Sequence, residues 1–216
     1  AADLGVSLAS EAGGDFEYLF FVGSPGSYDD HGKKVSRGLV KILQAAGVKI
    51  AILGPEEAST GDAARRLGNE YLFQMLAQQN VETMNGYGVK KIVTNCPHAY
   101  NTLAHEYPEF GGEYEVVHGT QRVADLVRTG RVKLTGSVDL DIAYHDPCYL
   151  SRYEGKAGVE KPRRLLGRAV VMVTGGGGFL GGAVVPLLFT RGDRVHTFSR
   201  RIYPNLEKKG ITQIRG

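Results

Sequence analysis

Residues 16–23 read FEYLFFVG, an apolar run that is rich in aromatic side chains and ends in glycine. A run of this kind is typical of a strand that is buried in a parallel sheet. Four later segments are also predicted to be strands: VKIAILG at 48–54, VKKIVTN at 89–95, YEVVHG at 114–119 and LDIAYHD at 140–146.

The segments between these strands carry helical signals. Residues 31–47 have apolar side chains on one helical face, namely Val35, Leu39, Ile42, Leu43 and Ala46. Gly47 follows as a natural C-terminal stop. A second helix is predicted over 69–85, with Leu72, Met75, Leu76 and Gln79 at helical spacing. Shorter helices are predicted over 62–68, over 97–107 with Pro97 in the first turn, and over 121–129.

Strands and helices therefore alternate along most of the chain. This alternation predicts an α/β protein with a mostly parallel sheet and helices on both of its faces. Ligand sites in such open sheets lie at the carboxyl ends of the strands. The segments that directly follow the strands are therefore the first place to look for functional residues.

The composition limits the classes of function. The chain has 216 residues, 42% hydrophobic and 23% charged, with a net charge of +3. Its basic residues are dispersed, which argues against a nucleic-acid surface. No apolar run reaches the roughly 18 residues of a membrane span, and the first residues do not resemble a signal peptide. Cys96 and Cys148 could form a disulfide, but a reduced cytoplasmic setting fits the cysteine usage better.

The segment NCPHAYN at 95–101 follows a predicted strand and places Ala99 three positions after Cys96. With cysteine in place of alanine it would be a C-x-x-C pair, a redox or metal motif.

Two segments of the chain resemble each other, LFFVGSPGSYDD at 19–30 and DIAYHDPCYLSR at 141–152. Ser24 and Cys148 hold equivalent places in these segments. This internal similarity suggests two related half-units, the second of which starts near residue 140.

With these motifs, residues of about 15–165 resemble the cysteine-rich CCG domain family, which includes the iron–sulfur subunits of heterodisulfide reductases and related subunits of glycolate and lactate oxidation. The resemblance implies cysteine at the positions of Ser24, Ser59, Cys96 and Ala99, which together hold an iron–sulfur cluster of the 4Fe-4S kind for electron transfer. The position of Cys148 opens the family's second cysteine set. The resemblance also implies partners among other oxidoreductase or flavoprotein subunits.

This chain departs from the family pattern at the ligands themselves. Cys96 alone remains of the first set, because serine stands at positions 24 and 59 and alanine at position 99. Serine is a hard, weakly acidic ligand for soft cluster iron, and alanine has no donor atom. We therefore expect the cluster to be lost. The alternative is a metal held by Cys96 and His98 with Cys148 or His145, whereas His98 is otherwise expected to be a buried, hydrogen-bonded helix residue.

A glycine-rich turn occurs near the end, in VVMVTGGGGFLGGA at 170–183. It resembles the start of an extended short-chain dehydrogenase or NAD-dependent epimerase, since Thr174, Gly175, Gly178 and Gly181 match T-G-x-x-G-x-x-G between a strand and a helix at 179–190. The resemblance implies a terminal Rossmann-like β-α-β fragment whose glycines approach a pyrophosphate.

The next predicted strand, RVHTFSRR at 194–201, ends in Ser199 and Arg200, which favours the 2′-phosphate of NADP over NAD. The family's Tyr-x-x-x-Lys pair is missing, because Tyr153 and Lys156 have the wrong spacing and lie upstream. Catalysis by this fragment is therefore not expected. It is either a weak dinucleotide-binding module or a fused remnant that adds a strand and a helix to the preceding unit.

Three regions are predicted: a first CCG-like α/β unit at 1–139, a truncated second unit at 140–167 that includes a helix at 159–167, and the Rossmann fragment at 168–216. The sequence favours an electron-transfer subunit of an oxidoreductase that has lost its cluster site. An NADP(H)-binding module without catalysis and a partner-binding scaffold without a cofactor are the alternatives.

Overall fold

In a computed structural model of the chain, the structure describes residues 2–135, 147–155, 158 and 160–161, together with three strands at 170–174, 194–199 and 212–215. The chain divides into two compact units. The first comprises Ala1–Leu134 and Cys148–Lys161, and the second Thr135–Pro147 and Pro162–Gly216. The predicted boundaries at 139 and 167 remain predictions.

The first unit is built on a sheet of five parallel strands. They are β1 (Ser7–Leu8), β2 (Tyr18–Phe21), β3 (Ile50–Ile52), β4 (Lys91–Thr94) and β5 (Glu115–His118). Their order across the sheet is β1-β3-β2-β4-β5, and each neighbouring pair is parallel. The predicted α/β class is confirmed. The predicted strand at 140–146 lies outside the described residues.

Seven α-helices are described in this unit. They are α1 (Ala9–Ala12), α2 (Gly23–Tyr28), α3 (Asp30–Ala45), α4 (Asp62–Arg66), α5 (Glu70–Gly86), α6 (Pro97–Asn101) and α7 (Gly119–Arg128). The predicted helix at 97–107 is divided, because α6 continues as a π-helical segment over Thr102–Glu106 and a 3-10 helix over Tyr107–Phe110.

Helices cover both faces of the sheet, as its strand sequences predict. In β2, alternate side chains point to opposite faces. Leu19 and Phe21 pack in the same core cluster as Phe73 and Met84 of α5. The intervening Phe20 packs with α3, through residues such as Leu43. Each face of β2 is thus sealed by a different helix.

The face of α3 was predicted largely correctly. Asp29 caps this helix by accepting a hydrogen bond from the Gly32 N–H at 2.6 Å, and Gly47 follows it with φ +67°. Leu39, Leu43 and Ala46 of the predicted apolar face are buried. The prediction was wrong for Val35, near the start of the helix, because this side chain is 47% exposed.

The prediction of which face of α5 is buried was wrong. Leu72 and Met75 are exposed, whereas the buried side chains are Phe73, Ala77, Asn80, Val81 and Met84. The buried set follows the helical repeat, but its central member is a polar asparagine. A polar residue within the buried stripe hides the apolar periodicity, and the sequence pattern then points to the neighbouring face.

In the second unit, β6 (Val170–Thr174), β7 (Arg194–Ser199) and β8 (Thr212–Arg215) form a parallel sheet in that order. The predicted helix at 179–190 and most of the predicted helix at 159–167 lie outside the described residues. Within the part of the chain that the structure describes, no helix has the length and apolar character needed to cross a membrane.

Candidate functional site

The carboxyl edge of the first sheet brings together three segments that carry predicted site residues. Ser24 follows β2, Ser59 follows β3, and Cys96 follows β4. Since β3 and β4 flank β2 on opposite sides, the chain reverses its direction of travel across the sheet at β2. Ligands bind beside such a switch point in open α/β sheets.

Ser24 and Ser59 line the same cavity. Ser24 is the second residue of α2, and Ser59 lies in the loop between β3 and α4. Both residues are exposed, and the Ser59 hydroxyl accepts a hydrogen bond from the Gly61 N–H at 3.3 Å. The wall of this cavity therefore contains two of the four positions that were predicted from the family resemblance to be cluster positions.

Cys96 and Ala99 occupy a different environment. Cys96 is a half-buried free thiol that directly precedes α6, and its N–H donates to the Thr94 hydroxyl at 3.2 Å. Ala99 is buried in the core cluster that also contains Leu103 and Phe73. Neither residue lines the cavity that holds Ser24 and Ser59.

Cys148 is an exposed free thiol, so the two cysteines do not form the disulfide considered from the sequence. It precedes a π-helical segment over Tyr149–Tyr153, and the ring of Tyr149 lies 4.5 Å from that of His98. His145 is outside the described residues. No group of three His, Cys, Asp or Glu side chains that could hold a metal occurs among the residues that the structure describes.

His98 is hydrogen-bonded, as expected, but it is not buried. Its side chain is 58% exposed, and Nδ1 lies 2.9 Å from Oδ2 of Asp62. Asp62 is itself buried, and its other oxygen accepts from Arg66 Nε at 3.1 Å. His98 thus shields a buried carboxylate from solvent, which explains its position at the surface.

Glu57 is a cavity residue that the sequence interpretation missed. One of its carboxylate oxygens accepts from the Val22 N–H at 2.9 Å, and the other accepts from the Gly23 N–H at 2.6 Å. Burial raises the pKa of Glu57 to about 7, against the effect of these two hydrogen bonds. Its position shortly after a buried strand was the available signal, but its partners lie more than thirty residues away in sequence.

His118 was also missed. Its Nδ1 accepts from the Thr120 N–H at 3.4 Å, so Nε2 must carry the proton that is donated to the Asn95 carbonyl oxygen at 3.0 Å. Burial lowers the pKa of His118 to about 4, and the ring is therefore neutral at pH 7. Gln121 three positions later completes a capping box, and that spacing was a usable sequence signal.

Asn80 holds the loop that carries Ser59. Its side-chain amide nitrogen lies 3.2 Å and 3.0 Å from the carbonyl oxygens of Ala58 and Ser59, and its oxygen accepts from the Ala58 N–H at 3.1 Å. The amide also donates to the Tyr107 hydroxyl at 3.0 Å. A polar residue in the core thereby fixes the backbone at the edge of the cavity.

Two of the predicted dinucleotide-binding residues lie at strand ends of the second unit. Thr174 ends β6 and Ser199 ends β7, and these parallel strands pair so that Thr174 is opposite Phe198. Both strand ends therefore lie at the same edge of that sheet. The remaining predicted residues, Gly175, Gly178, Gly181 and Arg200, lie outside the described residues.

Comparison with known proteins identifies related sequences for the first unit. The cysteine-rich domain family named CCG matches residues 18–104. EtfAB:quinone oxidoreductase of Syntrophomonas wolfei is 48% identical over 161 residues, 74% of this chain and 22% of that protein. The probable iron-sulfur-binding oxidoreductase FadF of Bacillus subtilis is also 48% identical over 161 residues, 74% of this chain and 23% of that protein.

A third relative is more distant. It is a subunit of the dihydromethanophenazine:CoB–CoM heterodisulfide reductase of Methanosarcina mazei, 30% identical over 145 residues, which make up 64% of this chain and 35% of that relative. The chain thus spans between 22% and 35% of the length of these three relatives. No solved structure matches the chain.

Proposed function

We propose that this chain is part of an electron-transfer subunit of an iron–sulfur oxidoreductase, because its residues 18–104 match the family of CCG cysteine-rich domains. We propose further that it no longer holds a cluster at its first set of cysteine positions. The first proposal is supported by relatives such as the probable iron-sulfur-binding oxidoreductase FadF.

The loss of the cluster is supported above all by the donor atoms at the four positions. Cys96 offers a thiol, Ser24 and Ser59 offer hydroxyls, and Ala99 offers a methyl group within the hydrophobic core. A 4Fe-4S cluster is held by four thiolates, and its soft iron binds hydroxyl groups poorly. The residues present do not fit the cluster that the family implies.

Anaerobic reconstitution with iron and sulfide tests this proposal. We expect the protein to retain no stoichiometric iron or acid-labile sulfide and to lack the broad absorbance near 400 nm. The matched control restores three cysteines together, as Ser24→Cys, Ser59→Cys and Ala99→Cys. We expect this variant to gain a cluster, with circular dichroism verifying that it folds.

Two results would count against the proposal. A full cluster in the unaltered protein would mean that other ligands replace the lost cysteines. A folded variant that remains colourless would mean that these four positions are not the ligand set.

The proposed partners are other oxidoreductase or flavoprotein subunits, and the proposed location is the cytoplasm. One relative is described as a subunit of a heterodisulfide reductase, which supports assembly with further chains. The two free thiols are consistent with a reducing compartment. Affinity capture with candidate flavoprotein subunits, followed by size-exclusion chromatography of the complex, tests the partnership.

A second candidate function is NADP(H) binding by the second unit. It is supported by the parallel pairing of β6 with β7, since the connection between them has the length of a helical crossover and contains Gly175, Gly178 and Gly181. Calorimetric titration should show NADPH binding more tightly than NADH, and Gly178→Val should abolish it. If neither nucleotide binds and no cluster forms, a partner-binding scaffold without a cofactor is the interpretation that remains.

A further inference from the structure

A cavity of about 480 Å³ opens at the carboxyl ends of β2 and β3. Its wall includes residues that directly follow both strands, such as Gly23 and Gly54, and one side of α3. Small-molecule sites occupy cavities of roughly 300–1,000 Å³ and are common at this edge of an α/β sheet. Both the size and the position are therefore those of a ligand site.

The floor of the cavity is apolar. Val6, Phe20 and Val40 are buried core residues that also line it, and Val22 and Ile52 lie partly exposed beside them. An aliphatic or aromatic portion of a ligand would be removed from water on this surface. The floor accordingly selects for a molecule with an apolar body.

Ser36 supplies a hydroxyl group within this wall. The residue is 7% exposed and lines the cavity. The hydroxyl faces Gly26, where a Cβ atom would come within 2.6 Å of Ser36 Oγ. Glycine at this position lets α2 approach α3 closely beside Ser36, which still lines the cavity.

The charged groups of the lining are arranged for an anion. Lys33 and Arg37 stand one helical turn apart on α3, on the same face as Ser36 and Val40. Each forms one surface ion pair, Lys33 with Asp30 at 3.2 Å and Arg37 with Asp3 at 2.5 Å. Ammonium and guanidinium groups have further donors beyond these contacts.

Glu57, the acidic residue of the lining, does not strongly disfavour a bound anion. Both oxygens of Glu57 are engaged by the Val22 and Gly23 N–H groups. Burial raises its pKa to about 7, so this carboxyl carries less negative charge near neutral pH than an exposed carboxylate does. The lining therefore presents two cations, each in a surface ion pair, and the Ser36 hydroxyl beside apolar side chains.

We propose that this cavity binds a small organic carboxylate with an apolar body. The carboxylate lies between Lys33 and Arg37, the Ser36 hydroxyl donates a hydrogen bond to it, and the carbon chain rests on Phe20 and Val40. This inference goes beyond the proposed electron-transfer role, because binding requires neither a cluster nor a dinucleotide.

Isothermal titration calorimetry of the full chain with hexanoate tests the proposal. Hexan-1-ol and hexylamine share the carbon chain but lack the negative charge, and they serve as ligand controls. We expect hexanoate to bind with a Kd near about 1 mM or below. Both control ligands should bind at least tenfold more weakly.

Variants on α3 locate the site. Arg37→Gln and Ser36→Ala should each weaken hexanoate binding by about tenfold, whereas Arg37→Lys, which keeps the positive charge, should retain most of it. Lys41→Gln removes a charge from an exposed position on the same helix outside the cavity, and it should bind as the unaltered protein does. Circular dichroism verifies that each variant folds.

Amide chemical shifts give an independent readout. Hexanoate should shift the amide signals of Gly23, Gly26 and Ser36, because these residues line the cavity. Absence of hexanoate binding, equal loss in Lys41→Gln, unchanged binding in Arg37→Gln, or shifts confined to other surfaces would each overturn the proposal. None of these results bears on the cluster assay, so the two proposals fail separately.

Discussion

Glu57 connects two segments that are distant in sequence through a carboxylate that lies largely out of water. Its oxygens bind the amides of Val22 and Gly23, where β2 gives way to α2. Burial dominates over these hydrogen bonds and raises the pKa of Glu57 from 4.5 to about 7. The folded protein therefore binds a proton at Glu57 that the unfolded chain has released between these two values.

We predict that Glu57 makes the protein less stable as the pH rises from 4.5 to 7. The contribution of this group is complete below about pH 4.5 and is lost as the pH passes through about 7. Glu57→Gln cannot ionise, so its free energy of unfolding should lack this component, which amounts to about 3 kcal/mol. Urea unfolding of both proteins at several pH values measures the difference.

Glu56→Gln is the matched control, because it removes an exposed carboxylate from the adjacent position. Its stability profile should keep the pH dependence of the unaltered protein. Parallel profiles for Glu57→Gln and the unaltered protein would show that another group titrates in this range.

At the scale of elements, α5 illustrates how a buried polar side chain determines the orientation of a helix. Asn80 is fully buried, and its side-chain amide forms hydrogen bonds with the loop of Ala58 and Ser59 and with Tyr107. Burying an amide without such partners would be costly. The face that contains Asn80 is therefore turned inward, and the more apolar-looking neighbours Leu72 and Met75 remain at the surface.

We predict that two apolar residues of α5 differ sharply in their effect on stability. Phe73 is 0% exposed and packs edge-on against Phe110 at 5.7 Å, so Phe73→Ala should cost about 3–5 kcal/mol. Met75 is 49% exposed, and Met75→Ala should change stability by less than about 0.5 kcal/mol. Urea midpoints at constant slope measure both values, and a larger loss for Met75→Ala would contradict the observed orientation.

The helix α2 shows a second limit of prediction at this scale. Its sequence, GSPGSY, combines two glycines and a proline, which are the weakest helix formers, and nothing in the pattern predicts a helix. The segment begins where Glu57 binds Gly23, and it packs against α3 so closely that a Cβ atom at Gly26 would come within 2.6 Å of Ser36 Oγ. Tertiary contacts therefore specify it, and a single sequence does not display them.

At the scale of the whole molecule, the sheet was predictable because its strands are apolar runs bounded by glycine or polar residues. β2 and β4 fall within the predicted segments, and the carboxyl ends of these strands carry Ser24 and Cys96 as expected. The environment of the site was not predictable, since Glu57, Asn80 and His118 act through partners 21 to 35 residues away. Neither periodicity nor spacing contains that information.

The first unit also depends on a segment that follows an excursion of the chain into the second unit. Residues Cys148–Lys161 group with Ala1–Leu134, and Leu150 is 0% exposed in a cluster with Tyr100 and Val116. Glu154 of the same segment lies 2.5 Å from Nε2 of His105. This late segment therefore covers the surface of α6 and the π-helical segment that follows it.

We predict that Leu150→Ala destabilises the first unit by about 2–5 kcal/mol, because it leaves a cavity beside Tyr100. Leu134→Ala is the matched control, since Leu134 is 67% exposed and its truncation should have little effect. Thermal unfolding by circular dichroism measures both variants. Equal losses in the two proteins would mean that the late segment does not stabilise the unit.

Leu150 is synthesised after Tyr100 and Val116, and this order affects the nascent chain. A ribosome that adds about 5–20 residues per second needs roughly 2–7 s to travel from Val116 to Leu150. During that interval Tyr100 and Val116 are present without the side chain that covers them. The nascent protein therefore passes through a stage in which an apolar patch is open to chaperones and to neighbouring chains, and the rate of translation sets how long that stage lasts.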